Sequence, residues 1–346
     1  MLRELDALPP GLLDLEACQL ESLLGGPTLI HLAGRRVSAL FVSVLMHGNE
    51  TTGWEAVRDL LRKYAVGGGH GELPRAMSLF IGNVSAAAQG LRQLDGEPDY
   101  NRVWPGCETS EGDESSEHRM MRQVTETMEV RGVFASVDVH NNTGLNPHYA
   151  CINVIDNSFL HLAALFGRTL VYFIRPCGVQ SMAMARLCPS VTLECGKPGQ
   201  VHGVDHARDY LDACLHLSEH PQHPLASHDV DLFHTVAIVK VPEQVSFGFD
   251  KAADMDIRFT EDLDCLNFRE VPRGTSLGHI SEGVGAGVSV SNEWGKDVTS
   301  RFFKVEDGEL RLRVPVMPSM LTKDCRVVRQ DCLCYLMERY NDHLQD

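Results

Sequence analysis

Residues 37–46 form a β-branched and apolar run, Val-Ser-Ala-Leu-Phe-Val-Ser-Val-Leu-Met, that stops abruptly at His47-Gly48-Asn49-Glu50. A run of this kind reads as a buried strand entering a polar loop. Within 50–64 the apolar residues Trp54, Val57, Leu60 and Leu61 recur at helical spacing, and Gly67-Gly68-Gly69 ends the segment. The alternation continues with strands predicted at 77–84, 133–139, 170–174 and 190–195, and helices at 117–130, 157–166 and 205–217. Strands that look buried, separated by helices, predict an α/β fold with a mixed, largely parallel sheet and helices on both faces. In such sheets ligands bind at the carboxyl ends of the strands.

The pattern changes at 218–229, where helical periodicity disappears and polar residues with Pro221 and Pro224 take over. That stretch reads as a linker between a domain at 1–217 and a smaller β-rich C-terminal domain at 230–346. Short β-like runs at 235–241 and 311–316, with glycine-rich breaks at 283–287, support the second assignment. A chain of 346 residues is long enough for one large core with a smaller appendage. No internal repeat is apparent.

Composition narrows the choice of partners. Lys and Arg number 31 against 47 Asp and Glu, a net charge of −16 that repels nucleic acid and acidic membrane surfaces. A small anionic substrate would therefore depend on a few local arginines. The N-terminus mixes acid and base without an apolar core, so it is not expected to be a secretory signal. No apolar run approaches the length of a bilayer span. Eleven cysteines, an odd number in apolar contexts such as Cys151, Cys188 and Cys214, fit buried reduced thiols in a cytoplasmic protein.

The candidate chemistry sits where the strands stop. His47 and Glu50 follow one buried strand closely enough for a turn to aim both at one ion, and His140 closes the strand at 133–139 before Asn141-Asn142-Thr143-Gly144. If these strands are neighbours, three N/O ligands meet, with a position left for water as in catalytic zinc sites. Asp138 lies two residues before His140 and shares its face of the strand. It reads either as a partner orienting His140 or as a solvated or capping carboxylate. Asn141 and Asn142 read as turn formers. His148 reads as a cleft-lining or plain loop histidine.

Four separated motifs carry a resemblance: His47-Gly48-Asn49-Glu50, Asp99-Tyr100-Asn101-Arg102, Asp138-Val139-His140-Asn141 and Thr192-Leu193-Glu194-Cys195-Gly196. In order and approximate spacing they resemble the succinylglutamate desuccinylase and aspartoacylase branch of the zinc carboxypeptidase superfamily. The resemblance implies a zinc carboxypeptidase-like fold with one Zn²⁺ per chain on His47, Glu50 and His140, and Glu194 as general base. It implies that Asn101 and Arg102 hold a substrate carboxylate, that Arg92 polarises the scissile carbonyl and that Arg186 is a further substrate-carboxylate arginine. It also implies assembly into homo-oligomers.

The expected activity is hydrolysis of an amide bond in a small, anionic N-acyl amino acid or related carboxylated compound. Two other readings stay open: a carboxypeptidase acting on peptides, and a non-catalytic metal- or ligand-binding relative. Completeness of the motifs argues against the second.

Overall fold

The computed structural model describes residues 2–65, 72–107, 114–226, 228–250 and 255–340. The glycine run at 67–69 lies outside the described residues. Nine strands run from the N-terminus into the second half of the chain: β1 (Arg3–Leu5), β2 (Thr28–Leu32), β3 (Gly34–Val44), β4 (Leu73–Ile81), β5 (Val133–His140), β6 (Tyr149–Ile152), β7 (Thr169–Tyr172), β8 (Ser190–Glu194) and β9 (Asp231–Lys240). The helices among them are α1 (Leu20–Leu24), α2 (Thr52–Tyr64), α3 (Val84–Ala88), α4 (Ser116–Arg131), α5 (Asn157–Ala164), α6 (Gln180–Met184) and α7 (Val201–His216).

The nine strands lie in one mixed sheet in the order β1-β2-β4-β3-β5-β8-β6-β7-β9, and its central strands β4, β3, β5 and β8 are parallel. Alternation along β3 shows how the sheet is covered. Leu40, Val42 and Val44 belong to a core with Trp54, Val57 and Leu60 of α2 and Leu211 of α7, whereas Phe41 faces Met121, Val124 and Met128 of α4. Successive side chains on a strand point to opposite faces, so each face needs its own helical cover.

Register places the chemistry. In the β5–β8 pairing His140 lies opposite Glu194, and in the β6–β8 pairing Glu194 lies opposite Tyr149. In the β3–β5 pairing Val44 lies opposite Val139, so the residues that leave β3 emerge beside His140.

The expected linker at 218–229 does not separate two sheets. β9, just beyond it, pairs in parallel with β7, and strands Met317–Ser319, Cys334–Arg339 and Ser289–Asn292 extend the same sheet. A distinct five-stranded sheet follows, built from Phe247–Gly248, Ile257–Phe259, Ser276–Ile280, Phe303–Glu306 and Glu309–Leu312. β9 bridges two cores: Leu232 packs with the first, Ala237 and Val239 with the second. β9 and three later strands thus belong to the large sheet, and the five-stranded sheet is drawn from strands between residues 247 and 312.

The cysteines also depart from expectation. Cys107 and Cys177 form a disulfide, with Cα atoms 5.6 Å apart, and Cys18, Cys265 and Cys325 are exposed. The two cysteine-bearing loops also meet where the Trp104 backbone N–H donates to the Gly178 carbonyl at 2.9 Å. Cys151, Cys188, Cys195, Cys214, Cys332 and Cys334 are buried and free. No helix among the described residues is long and apolar enough to cross a membrane.

Candidate metal and substrate site

Immediately after β3 the chain turns through Leu45, whose φ is 57°, an uncommon conformation for a residue with a Cβ. Gly48 then passes so close to α3 that an added Cβ would lie 2.2 Å from the Ala87 backbone nitrogen. That contact requires glycine and fixes the loop holding His47 and Glu50.

His47, Glu50 and His140 are buried, and one potential ligand atom from each lies within 4.8 Å of the others. His47 Nδ1 is 2.8 Å from Glu50 Oε1 and His140 Nδ1 is 2.8 Å from Glu50 Oε2. The opposite ring nitrogens are held by carboxylates: His47 Nε2 by Asp99 at 3.0 Å and His140 Nε2 by Asp138 at 2.7 Å. Of the two readings of Asp138, the structure shows the orienting one, and Ser43 Oγ donates to its other oxygen at 2.7 Å.

This donor set fits a divalent metal. Each Nδ1 converges on the same carboxylate while its Nε2 is tethered from behind, as histidines that ligate metals usually are. With the carboxylates as close partners, the imidazoles tend to hold protons: burial works against charge on His47 and His140, but the Glu50, Asp99 and Asp138 charges outweigh it and raise both above the usual histidine range.

Glu194 differs from the other carboxylates. It is buried, accepts a single long hydrogen bond from Asn142 Nδ2 at 3.4 Å, and is pushed by burial up to about 8, with His140 opposing the rise. A buried carboxylate pushed up toward neutral pH and lining a cavity suits proton transfer.

Asn101, Arg92 and Arg102 all line the same cavity. Arg92 Nη2 donates to Asp99 at 2.9 Å, and its Nη1 is 3.5 Å from Glu50. Arg102 donates from Nη1 to the Asn101 carbonyl at 2.8 Å and from Nη2 to Asp331 at 2.7 Å. Its loop is braced by Gly178 (φ 75°), where a Cβ would come within 2.3 Å of the Arg102 carbonyl oxygen. The Asn101 amide is turned inward: Nδ2 lies 3.3 Å from Asp138 and 3.1 Å from His140 Nε2, and Oδ1 accepts the Gln180 N–H at 2.9 Å. In this structure it braces the histidine.

Arg186 is not brought to this cavity. It is exposed and borders a neighbouring surface depression with Cys177 and Trp294. Arg175, which follows β7, lines the central cavity instead. His148 lies away from it, with Nδ1 2.9 Å from His206 Nδ1 on α7. Asn141 does more than turn the chain: its backbone N–H donates to Glu50 Oε2 at 3.0 Å, and its side chain ties Thr52 to the Gly196 carbonyl.

Sequence reasoning missed Tyr149, Cys151, Thr192, Arg175 and Asp331, all of which line the cavity. Thr192 had a signal, since it shares the face of Glu194 two residues along β8. Asp331 had none.

A sequence model of the Succinylglutamate desuccinylase/Aspartoacylase catalytic domain matches residues 37–217, more than half of the chain, and the chain belongs to that family. Amide-bond hydrolysis of N-acyl amino acids is the activity this membership supports. Similar folds include the succinylglutamate desuccinylase of Chromobacterium violaceum, 17% identical with a TM-score of 0.55 over 89% of this chain and 86% of that one. A succinylglutamate desuccinylase/aspartoacylase from Rhodobacter sphaeroides is 17% identical, TM-score 0.58, over 90% and 88%. Murine aminoacylase 3 is 14% identical, TM-score 0.52, over 89% and 97%. At these identities the likeness is one of fold. No curated protein matches the chain significantly.

Proposed function

We propose that this protein is a zinc-dependent hydrolase that cleaves the amide bond of a small N-acyl amino acid or related carboxylated compound. The observation that carries the reading is the His47–Glu50–His140 cluster facing a buried Glu194 across paired strand ends. Zinc held by these three residues would polarise the scissile carbonyl and acidify a water. Glu194 accepts the proton of the attacking water and returns it to the departing amine. Arg92 donates hydrogen bonds to the carbonyl oxygen as negative charge develops there, and Arg102 holds the substrate carboxylate.

Small substrates are favoured because Thr235, Ser319, Met320, Asp331 and Tyr335, all from the second half of the chain, close one side of the cavity. The test is an assay of N-acetyl and N-succinyl amino acids and of peptides, with and without a chelator. We expect turnover of an N-acyl amino acid that chelation abolishes and zinc restores. Turnover of peptides alone would move the chain to the peptidase class, and a zinc-loaded protein inert toward all three would overturn the reading.

A further inference from the structure

Among the described residues, the cations lining the central cavity are Arg92, Arg102 and Arg175, along with the two histidines of the metal cluster. The first two are already matched by carboxylates. Asp331, between helix Cys325–Gln330 and strand Cys334–Arg339, accepts from Arg102 Nη2 at 2.7 Å and places its other oxygen 3.6 Å from Arg92 Nη2. Asp99 takes Arg92 from the other side at 2.9 Å. Each guanidinium therefore has a carboxylate within hydrogen-bond distance, Asp99 being shared with His47 Nε2 at 3.0 Å and Glu50 lying 3.5 Å from Arg92 Nη1. Arg175 also lines the cavity but is exposed, and water screens it.

Asp331 is a fixture of the wall. Its backbone N–H is bound to the Val327 carbonyl at 2.9 Å, and its side chain is only 15% exposed. Swinging it away would leave the half-buried Arg102 without its counter-charge, a costly change. Apolar lining of the same cavity comes from Cys151, Val171 and Phe173.

We propose that Asp331 is a specificity-determining residue that limits the substrate to a single carboxylate. Arg102 has five N–H donors, and its bonds to Asn101 and Asp331 leave others to grip one carboxylate by hydrogen bonding. A second carboxylate, on the acyl group or the side chain, meets Asp331 and Asp99 with no unmatched buried arginine among the described residues to receive it, the metal position being taken in the proposed reaction by the scissile carbonyl. The substrate class is an N-acyl amino acid whose acyl group and side chain are both uncharged, one of them resting on the apolar wall. N-Succinylglutamate, from which several of the structural neighbours take their name, carries three carboxylates and is disfavoured. This inference rests on the amidohydrolase reading above.

The experiment compares butyrate and succinate, which share a four-carbon chain and differ by one carboxylate, by calorimetric titration of the zinc-loaded full-length protein. The wild type is expected to bind butyrate about tenfold tighter than succinate, since like charges placed together are penalised. Asp331→Asn, which keeps the shape and removes the charge, should narrow that ratio about tenfold, and Asp331→Glu should keep it. Succinate binding as tightly as butyrate in the wild type overturns the proposal without any variant. So does an unchanged ratio in folded Asp331→Asn, or no binding of either ligand, because one carboxylate must be accepted. Failure of the hydrolase reading shows separately, as lack of turnover of every N-acyl amino acid by the same preparation.

Discussion

The two ends of the cavity are built in different ways. At the metal end His140 and Glu194 close adjacent strands whose register sets them opposite each other, and His47 and Glu50 sit in the short loop that leaves the neighbouring strand. At the arginine end Arg92 and Arg102 come from loops, and their charge is set by Asp331, 229 residues beyond Arg102. The first arrangement follows from backbone pairing, whereas the second depends on where a distant segment docks. Chemistry is thus placed by the sheet, and recognition by whatever the second half of the chain brings against it.

The largest expected effect is at the metal end. Glu194→Gln should lower kcat by on the order of 10²- to 10⁴-fold with zinc still bound, because the amide cannot take the water's proton. Metal content and turnover measured on one sample check this, and near-normal turnover would send the search to another base. Asp138→Ala should weaken zinc binding by roughly 10- to 100-fold, since His140 loses the partner that aims its ring. A competition titration with a chromophoric chelator reads that loss, and unchanged affinity would make Asp138 merely structural.

At the arginine end Arg102→Ala should raise KM by about tenfold while kcat changes less, because its partner is charged in both ground and transition states. If kcat fell instead, the division between the two ends would dissolve. The smallest effect concerns pH. Burial pushes Glu194 up to about 8, so kcat/KM should climb with pH as that carboxyl ionises, with its limb at or below that value once a bound cation favours the ionised form. The Asn142 hydrogen bond favours the charged form, so Asn142→Ala should move the limb upward by less than about one pH unit. A downward shift would contradict the contact.

These contrasts explain what the amino-acid sequence disclosed. The strand at 37–46 and the helix at 117–130 lie close to the observed Gly34–Val44 and Ser116–Arg131, because apolar periodicity is a local property. The clustering of His47, Glu50 and His140 and the placing of Glu194 opposite His140 were legible for a related reason: each follows or ends a buried strand. The short strands β2 and β6 were overlooked, as four or five residues carry too little pattern to read. The inward turn of Asn101, the displacement of Arg186 to the surface and the arrival of Asp331 are outcomes of loop packing that no spacing encodes.

The pairing of β7 with β9 has a practical consequence for anyone dissecting this chain. A fragment ending at residue 217, where the family match stops, would lack β9 and leave the outer hydrogen-bonding groups of Thr169–Tyr172 facing solvent. A bare strand edge of that kind is a template for intermolecular pairing, so such a fragment should self-associate even if its own core were sound.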